Sequence, residues 1–223
     1  MCAVVTIAPS ILAADFGRLA DEVASVGEEA EWVHVDLMDG HFVPNLTIGP
    51  PVVASLRRHT YKLLDCHLMV SDPGMWLEPL AEAGADGCSV HVELGDPTPL
   101  LARTRELGMM AGVVIDGPTA FELVEPYLDE RIDLLLIMTI RAGFGGQAFQ
   151  PEQVAKIERA ASIRRDRGLA FHIEVDGGVK VDTAPVVARA GADVLVSGTG
   201  IFDGRDPQAA TAALRAAADD AVR

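Results

Sequence analysis

Short apolar runs alternate along the chain with longer amphipathic stretches in which charged residues recur at helical spacing. Eight of the apolar runs have the length of buried strands. They are Val5 to Pro9, Trp32 to Leu37, Leu63 to Met69, Gly87 to His91, Met110 to Ile115, Leu134 to Met138, Phe171 to Val175 and Asp193 to Val196. The stretches between them predict helices, among them Phe16 to Glu29, Pro73 to Ala83, Pro97 to Leu107, Pro151 to Arg167, Thr183 to Ala190 and Pro207 to Val222.

This repeated strand–helix alternation predicts an α/β protein with a (β/α)8 TIM barrel. No linker interrupts the alternation, so we expect a single domain over residues 1–223. A doubly wound open sheet is the structural alternative, but the first strand continues into Ser10-Ile-Leu-Ala without a GxGxxG motif. The tripeptide Gly-Ala-Asp occurs at 84–86 and at 191–193, each time between a helix and a strand, which indicates equivalent corners of the repeat.

Composition narrows the classes of partner. The chain has 18 Lys and Arg against 33 Asp and Glu, a net charge of −15 that disfavours nucleic acid and anionic membranes. A small phosphorylated ligand stays compatible, because backbone amides at helix N-termini bind phosphate without net positive charge. No apolar run reaches the roughly 18 residues of a membrane span, and no secretory signal is visible, so we expect a cytoplasmic protein. The cysteines Cys2, Cys66 and Cys88 form no CxxC, and we expect free thiols.

Histidine and aspartate occur repeatedly at the predicted strand ends. His34 and Asp36 lie two residues apart and therefore share one face of the second strand, while His67 and Asp176 close the third and seventh strands. In a barrel these ends meet at one mouth. Two imidazoles and two carboxylates suit Zn²⁺ or a similar divalent ion. The alternative is hydrogen-bonded core histidines with turn-capping aspartates, but burying four polar groups without a shared partner is costly.

Glycine-rich loops follow the sixth, seventh and eighth predicted strands. In such barrels the loops after strands seven and eight commonly bind phosphate. The residues concerned are Gly143, Phe144, Gly145 and Gly146, then Gly177 and Gly178, then Gly198 and Thr199. The alternative is that these glycines only permit a positive φ in tight turns.

Other residues near the mouth carry weaker indications. Met38, Met69 and Met138 are equally compatible with core packing and with lining a substrate cavity. We expect His91 to be a rim histidine rather than a ligand. Ordinary surface or loop positions are expected for His41, His59 and His172, and solvated helix faces for Arg164, Arg165 and Arg167.

Long motifs in the chain resemble the ribulose-phosphate 3-epimerase family. They are SILAADFGRL, HVDLMDGHFVPNLTIGP, DCHLM, GFGGQ and IEVDGGV, in the order and spacing of the family from Ile7 to about Phe202. The resemblance implies a barrel of the ribulose-phosphate-binding type with one divalent metal ion, Zn²⁺ before Mn²⁺, Fe²⁺ or Co²⁺, on His34, Asp36, His67 and Asp176. It also implies an acid/base pair of Asp36 and Asp176, substrate contacts from Ser10 and His67, and phosphate on the glycine-rich loops.

The activity implied by the resemblance is inversion of C3 of a ketose phosphate through an enediolate, with D-ribulose 5-phosphate and D-xylulose 5-phosphate of the pentose phosphate pathway as substrates. We also expect a homo-oligomer. An epimerase of another ketose phosphate, such as D-allulose 6-phosphate, and a non-catalytic phosphate-sugar-binding barrel remain alternatives. A Schiff-base lyase is disfavoured, because Lys62, Lys156 and Lys180 do not lie at strand C-terminal ends.

Three positions depart from the usual family pattern. Arg141-Ala precedes the GFGG motif where the family has Asn-Pro or Glu-Pro, Asp116-Gly stands where Asn-Pro is usual, and Cys66 replaces a common Val. We expect Cys66 to point away from the face of His67. Two hypotheses stay open for Arg141: contact near the phosphate loop, where it would tighten binding or admit a different sugar, or exposure to solvent.

Overall fold

The computed structural model describes residues 5–223, in which eight parallel strands form one barrel. The strands are β1 (Thr6–Pro9), β2 (Trp32–Met38), β3 (Leu63–Met69), β4 (Gly87–His91), β5 (Met110–Ile115), β6 (Leu134–Met138), β7 (His172–Asp176) and β8 (Val194–Ser197). Neighbours pair in the order β1-β8-β7-β6-β5-β4-β3-β2. A bridge between Ser10 and His34 joins the two remaining edges, so the predicted (β/α)8 barrel is confirmed.

In the described part of the chain, seven α-helices surround the strands. They are α1 (Leu19–Ser25), α2 (Pro50–Arg57), α3 (Gly74–Ala83), α4 (Thr98–Glu106), α5 (Val154–Asp166), α6 (Ala184–Ala190) and α7 (Pro207–Val222). Outward-facing strand residues such as Val35, Cys66 and Ile137 are fully buried against this helical layer. The free thiol of Cys66 therefore points out of the barrel, away from the face of His67, as predicted. Cys2 lies outside the described residues. Within residues 5–223, no helix has both the length and the apolarity needed to cross a bilayer.

The structure differs from the predicted pattern of helices at three places. The helix expected over Phe16 to Glu29 is a 3-10 turn followed by α1, which ends at Ser25 because the chain turns at Gly27 with φ of +72°. Helix α2 was not predicted, although Pro50 and Pro51 occupy its first turn. Between β5 and β6 the chain forms two 3-10 turns instead of an α-helix. Pro126 lies in the second of these turns and lacks the N–H that a continuing helix requires.

One polar contact recurs at three corners at the N-terminal end of the barrel. In each, an aspartate that precedes β4, β6 or β8 forms an ion pair with a helix arginine. The same aspartate accepts a hydrogen bond from a backbone N–H of the preceding strand, which is β3, β5 or β7. The sets are Asp86 with Arg57 and Leu64, Asp133 with Arg105 and Ala111, and Asp193 with Arg164 and Ile173. The two Gly-Ala-Asp corners are thus equivalent, as predicted. Arg164, expected on a solvated face, is instead partly buried by its contacts, while Arg165 and Arg167 are exposed.

Candidate active site

The polar residues predicted at the strand ends lie together at the C-terminal mouth. His34 and Asp36 come from β2, His67 from β3 and Asp176 from the last position of β7. One ligand atom from each of the four lies within 4.8 Å of the others. Strand register causes this clustering, because Asp36 is aligned with His67 in the β2–β3 pair and both side chains point inward.

A cavity of about 320 Å³ opens above this cluster. Asp36 and Asp176 reach its wall, whereas His34 and His67 are fully buried and do not line it. The other predicted substrate residues that line it are Ser10, Gly143, Phe144, Gly145, Gly146, Gly177, Gly178, Gly198 and Thr199, and all three methionines, Met38, Met69 and Met138, line it as well. The structure therefore places the acidic pair and the glycine-rich loops around one space.

Two acidic side chains that were not predicted from the sequence, Asp65 and Glu174, contact one nitrogen of the His34 ring. Its Nδ1 lies 2.8 Å from Asp65 Oδ2 and 3.3 Å from Glu174 Oε1. Its Nε2 is buried, has no hydrogen-bond partner among residues 5–223, and lies 3.4 Å from Asp36 Oδ1. Burial lowers the pKa of His34, but the negative charge of Asp36 outweighs it and raises the pKa well above its usual value. These surroundings favour a cation at Nε2.

Those four residues fit a divalent metal ion. An unpartnered buried imidazole nitrogen, a second imidazole and two carboxylates form a donor set typical of Zn²⁺ and related ions. A carboxylate that accepts from the remaining N–H of a ligating histidine is the usual outer support of such sites, and Asp65 occupies that place beside His34.

Asp36 and Asp176 have opposite proton affinities. Burial would raise the pKa of Asp36, but the charge of His34 outweighs burial and holds the pKa well below its usual value. Ser10 Oγ also donates to Asp36 Oδ2 at 2.7 Å. For Asp176, burial and the nearby charge of Asp36 raise the pKa to about 7. Near pH 7 Asp36 is therefore ionised, whereas Asp176 is divided about equally between its protonated and ionised forms.

His67 connects the cluster to His91. The Nδ1 of His67 lies 3.2 Å from Asp36 Oδ1, and its Nε2 lies 2.9 Å from His91 Nε2. Burial lowers the pKa of His67 to about 4, so the ring is neutral near pH 7. His91 is only 1% exposed and contacts Glu93, so the interpretation of His91 as a rim residue is wrong.

The glycine-rich loops adopt conformations that other residues resist. Gly177 and Gly178 have φ values of +126° and +66°, and a Cβ on Gly178 would lie 2.6 Å from the backbone nitrogen of Phe149. The N–H groups of Gly177, Gly178 and Thr199 donate to no acceptor within the described part of the chain. One helical turn begins at Gly198, whose carbonyl accepts from Ile201 and Phe202. Free amides beside a helical turn form a site suited to an anion.

Arg141 and Asp116, the two departures from the family pattern near the mouth, have different surroundings. Arg141 is exposed and does not line the cavity, and its side chain makes no ion pair with residues 5–223. Asp116 acts structurally, since its Oδ1 accepts the N–H of Ala142 at 2.8 Å and so holds the loop after β6. His41, His59 and His172 are exposed, as predicted.

Asn45 is a lining residue that the sequence analysis missed. Its Nδ2 donates to the carbonyl of Gly143 at 3.2 Å, which connects the loop after β2 to the glycine-rich loop after β6. The signal was the long polar segment that follows β2 inside the HVDLMDGHFVPNLTIGP motif, where only the strand residues were assigned roles.

Comparison with known proteins decides the family. The model of the Ribulose-phosphate 3 epimerase family matches residues 6–202. The chain belongs to the ribulose-phosphate 3-epimerase family. Its relatives include the ribulose-phosphate 3-epimerase of Mycobacterium bovis, 49% identical over 94% of this chain and 91% of that protein. The Synechocystis enzyme of the same name is 46% identical over 95% and 93% of the two chains. A ribulose-phosphate 3-epimerase from Oryza sativa described as a cytoplasmic isoform is 44% identical over 94% and 92%.

Solved structures resemble this epimerase-family chain in fold. Orotidine 5'-phosphate decarboxylase from Pyrococcus horikoshii superposes with a TM-score of 0.71 at 19% identity, covering 96% of this chain and 99% of that one. 3-Hexulose-6-phosphate synthase from Salmonella typhimurium gives a TM-score of 0.70 at 17% identity, covering 96% and 98%. At such identities the likeness establishes the barrel fold alone.

Proposed function

We propose that the protein is an isomerase that inverts C3 of D-ribulose 5-phosphate to give D-xylulose 5-phosphate, and the reverse. The observation that carries this proposal is the pair of Asp36 and Asp176 at one cavity, one with a depressed pKa and the other with a pKa of about 7. Epimerisation removes a proton from one face of a carbon and returns a proton to the other face. It therefore requires one base and one acid at the start of each turnover.

Each carboxyl group has a definite task. Asp36, ionised, accepts the C3 proton of one epimer, and the electron pair left on C3 is delocalised into the adjacent carbonyl to give an enediolate. Asp176, protonated, then delivers its proton to the opposite face of C3. In the reverse direction the roles exchange. Ser10 donates to Asp36 Oδ2, which fixes the orientation of that carboxylate.

We propose that His34, Asp36, His67 and Asp176 hold one divalent metal ion, and that this ion is Zn²⁺ in preference to Mn²⁺, Fe²⁺ or Co²⁺. When bound, such an ion supplies positive charge beside the substrate oxygens that become negative during proton removal. The unpartnered Nε2 of His34 and the mixed imidazole and carboxylate donors support this assignment.

The phosphate of the substrate is proposed to bind the loops after β6, β7 and β8. Support comes from the free N–H groups of Gly177, Gly178 and Thr199 and from the position of Gly143 to Gly146 on the same cavity. Binding through amides suits a chain whose net charge is −15. Holding the distant phosphate positions C3 between the two aspartates. Phe144, which lines the cavity, is proposed as a further substrate contact, whereas His67 is fully buried and does not reach the cavity.

Several broader assignments belong to the same proposal. We propose that residues 1–223 form one catalytic domain, that the enzyme acts in the cytoplasm on a step of the pentose phosphate pathway, and that it assembles as a homo-oligomer. The family membership supports the substrate class, and the oligomeric state is open to measurement by sedimentation.

The test is conversion of the sugar by purified Zn²⁺-loaded protein, followed by NMR. We expect D-xylulose 5-phosphate to form from D-ribulose 5-phosphate, to stop forming after chelation, and to form again after Zn²⁺ is restored. A parallel reaction with D-allulose 6-phosphate defines the preferred chain length. Turnover of the longer sugar alone would overturn the assigned substrate, and turnover of neither would support a binding protein.

A further inference from the structure

A row of four polar side chains runs from the active-site cluster to the loop after β4. Asp36 Oδ1 lies 3.2 Å from His67 Nδ1, and His67 Nε2 lies 2.9 Å from His91 Nε2. The Nδ1 of His91 lies 2.9 Å from Glu93 Oε2. Both imidazole rings are buried, with exposed fractions of 0% for His67 and 1% for His91. Each ring therefore uses both nitrogens in contacts with protein atoms.

The two ends of this row determine where the hydrogens lie. An ionised carboxylate only accepts hydrogen bonds, so His91 donates its Nδ1–H to Glu93, and the 2.9 Å contact between the two Nε2 atoms holds one hydrogen. When Nδ1 of His67 and Oδ1 of Asp36, 3.2 Å apart, both hold the metal ion, His67 carries its hydrogen on Nε2 and donates it to His91. Glu93 is ionised: burial would raise its pKa, but hydrogen bonds from His91 and from the Asp116 amide outweigh burial and lower the pKa to about 2.

The carboxylate of Glu93 is itself held in place. Its Oε1 accepts the backbone N–H of Asp116 at 2.8 Å, so both oxygens have donors. Glu93 lies in a 3-10 turn, Val92–Leu94, that ends at Gly95 with φ of +113°. The carboxylate therefore cannot turn away from His91 without giving up its bond to the neighbouring loop.

We propose that Glu93 is a positioning residue that, acting through His91, presents Nδ1 of His67 to the metal ion. The proposal rests on the metal site of the proposed function and adds a residue to it. It gives the two histidines equivalent support, since Asp65 contacts Nδ1 of His34 directly and thereby leaves Nε2 facing the cluster. Outer partners of this kind typically contribute about 10- to 100-fold to metal affinity or activity.

The first test replaces Glu93 by Gln, which keeps the shape but can donate as well as accept, so it no longer fixes the hydrogen on His91 Nδ1. We expect Zn²⁺ affinity, measured by competition with a chromogenic chelator, to fall about 10- to 100-fold. Glu93→Asp, which keeps an acceptor-only group, should recover part of this loss. Glu130→Gln is the matched control, because Glu130 is exposed and lies before β6 at the opposite end of the barrel. Wild-type affinity in Glu93→Gln would overturn the proposal.

The second test uses the Zn²⁺-loaded wild-type protein and therefore does not depend on a variant that folds. Side-chain ¹⁵N NMR of the histidines should show hydrogen on Nε2 of His67 and on Nδ1 of His91. Hydrogen on Nδ1 of His67 would contradict the assignment. Neither test contains a sugar, so a failure of the proposed substrate would leave both results intact, whereas a failure of Glu93 would leave the sugar assay unchanged.

Discussion

At the scale of single residues, the candidate site depends on the different surroundings of two aspartates. Asp36 accepts from Ser10 and lies beside two imidazoles, whereas Asp176 has burial and the charge of Asp36 acting on it. The first environment favours the carboxylate and the second favours the protonated acid. The same side-chain chemistry thus provides both a base and an acid.

The Asp176→Asn substitution tests this division of roles. An amide cannot deliver or remove a proton, so turnover should fall by about 10²-fold or more while the far-UV circular dichroism spectrum is unchanged. Asp182→Asn is the control, because Asp182 is exposed and lies a few residues further along the chain. Near wild-type turnover in Asp176→Asn would remove Asp176 from the acid/base pair.

A comparison of two glycines tests the packing of the loop after β7. Gly178 and Gly168 have φ values of +66° and +65°, but only Gly178 would bring a Cβ against the Phe149 backbone, whereas Gly168 has open space. Gly168→Ala should cost about 1 kcal/mol of unfolding free energy from the left-handed backbone alone. Gly178→Ala should cost about 2 kcal/mol more. Urea denaturation measures both, and equal losses would show that the Phe149 contact does not constrain this loop.

The residue types at the site could be predicted from strand periodicity, but the supporting residues were not. His34 and Asp36 share an inward face because they lie two positions apart, and the same rule relates Asp65 to His67 and Glu174 to Asp176. Counting two positions back from His67 and from Asp176 indicates Asp65 and Glu174, the two acidic side chains that contact His34. Glu93 follows β4 in a turn, so no periodicity reports its contact with His91.

At the scale of elements, the two ends of the barrel strands have different roles. The C-terminal ends carry the candidate site, and the N-terminal ends carry the repeated aspartate contacts described above. Asp193 illustrates the second role, because it accepts the backbone N–H of Ile173 at 2.8 Å and pairs with Arg164. It thereby joins β7, β8 and α5 far from the cavity.

Asp193→Ala should lower stability without lowering turnover. Losing the acceptor for Ile173 N–H and the partner of Arg164 should cost about 1–3 kcal/mol. Burial would raise the pKa of Asp193, but His172 and Arg164 outweigh burial and lower it. Because the pKa of Asp193 is lower in the folded state than in the unfolded state, its carboxylate stabilises the fold at pH values above the ordinary pKa near 3.8. The difference from wild type should therefore be full at pH 7 and shrink as pH falls through the depressed pKa.

Urea unfolding at several pH values measures this difference in unfolding free energy. Asp220→Ala serves as the control, because the Asp220–Arg223 pair is exposed and such pairs contribute little. A loss for Asp193→Ala no larger than that of the control would show that the corner contact does not stabilise the barrel.

Elements with strong periodicity were predicted well, and those shaped by proline and glycine were not. All eight strands were found, with ends displaced by at most a residue or so. Helix α2 was overlooked because it has only eight residues, although Pro50 and Pro51 in its first turn are a signal of a helix start. The segment between β5 and β6 was expected to complete another strand–helix unit, but Pro126 confines it to 3-10 turns.

At the scale of the whole molecule, barrel closure creates the candidate site. The bridge between Ser10 and His34 joins β1 to β2, and Ser10 Oγ reaches Asp36 across that seam. Closure also brings the loop after β8 to the loops after β6 and β7 around one cavity. Excess negative charge across the chain is compatible with a phosphorylated ligand, because the contacts proposed for the phosphate are backbone amides.

The origin of the hydrogen at C3 of the product tests the two-aspartate account most directly. D-Ribulose 5-phosphate is incubated with the Zn²⁺-loaded protein in D₂O, and the earliest D-xylulose 5-phosphate formed is examined by NMR and mass spectrometry. If Asp36 removes the proton and Asp176 supplies another that has exchanged with solvent, each product molecule carries one deuterium at C3. Product that retains the original C3 hydrogen would contradict proton transfer by two separate groups.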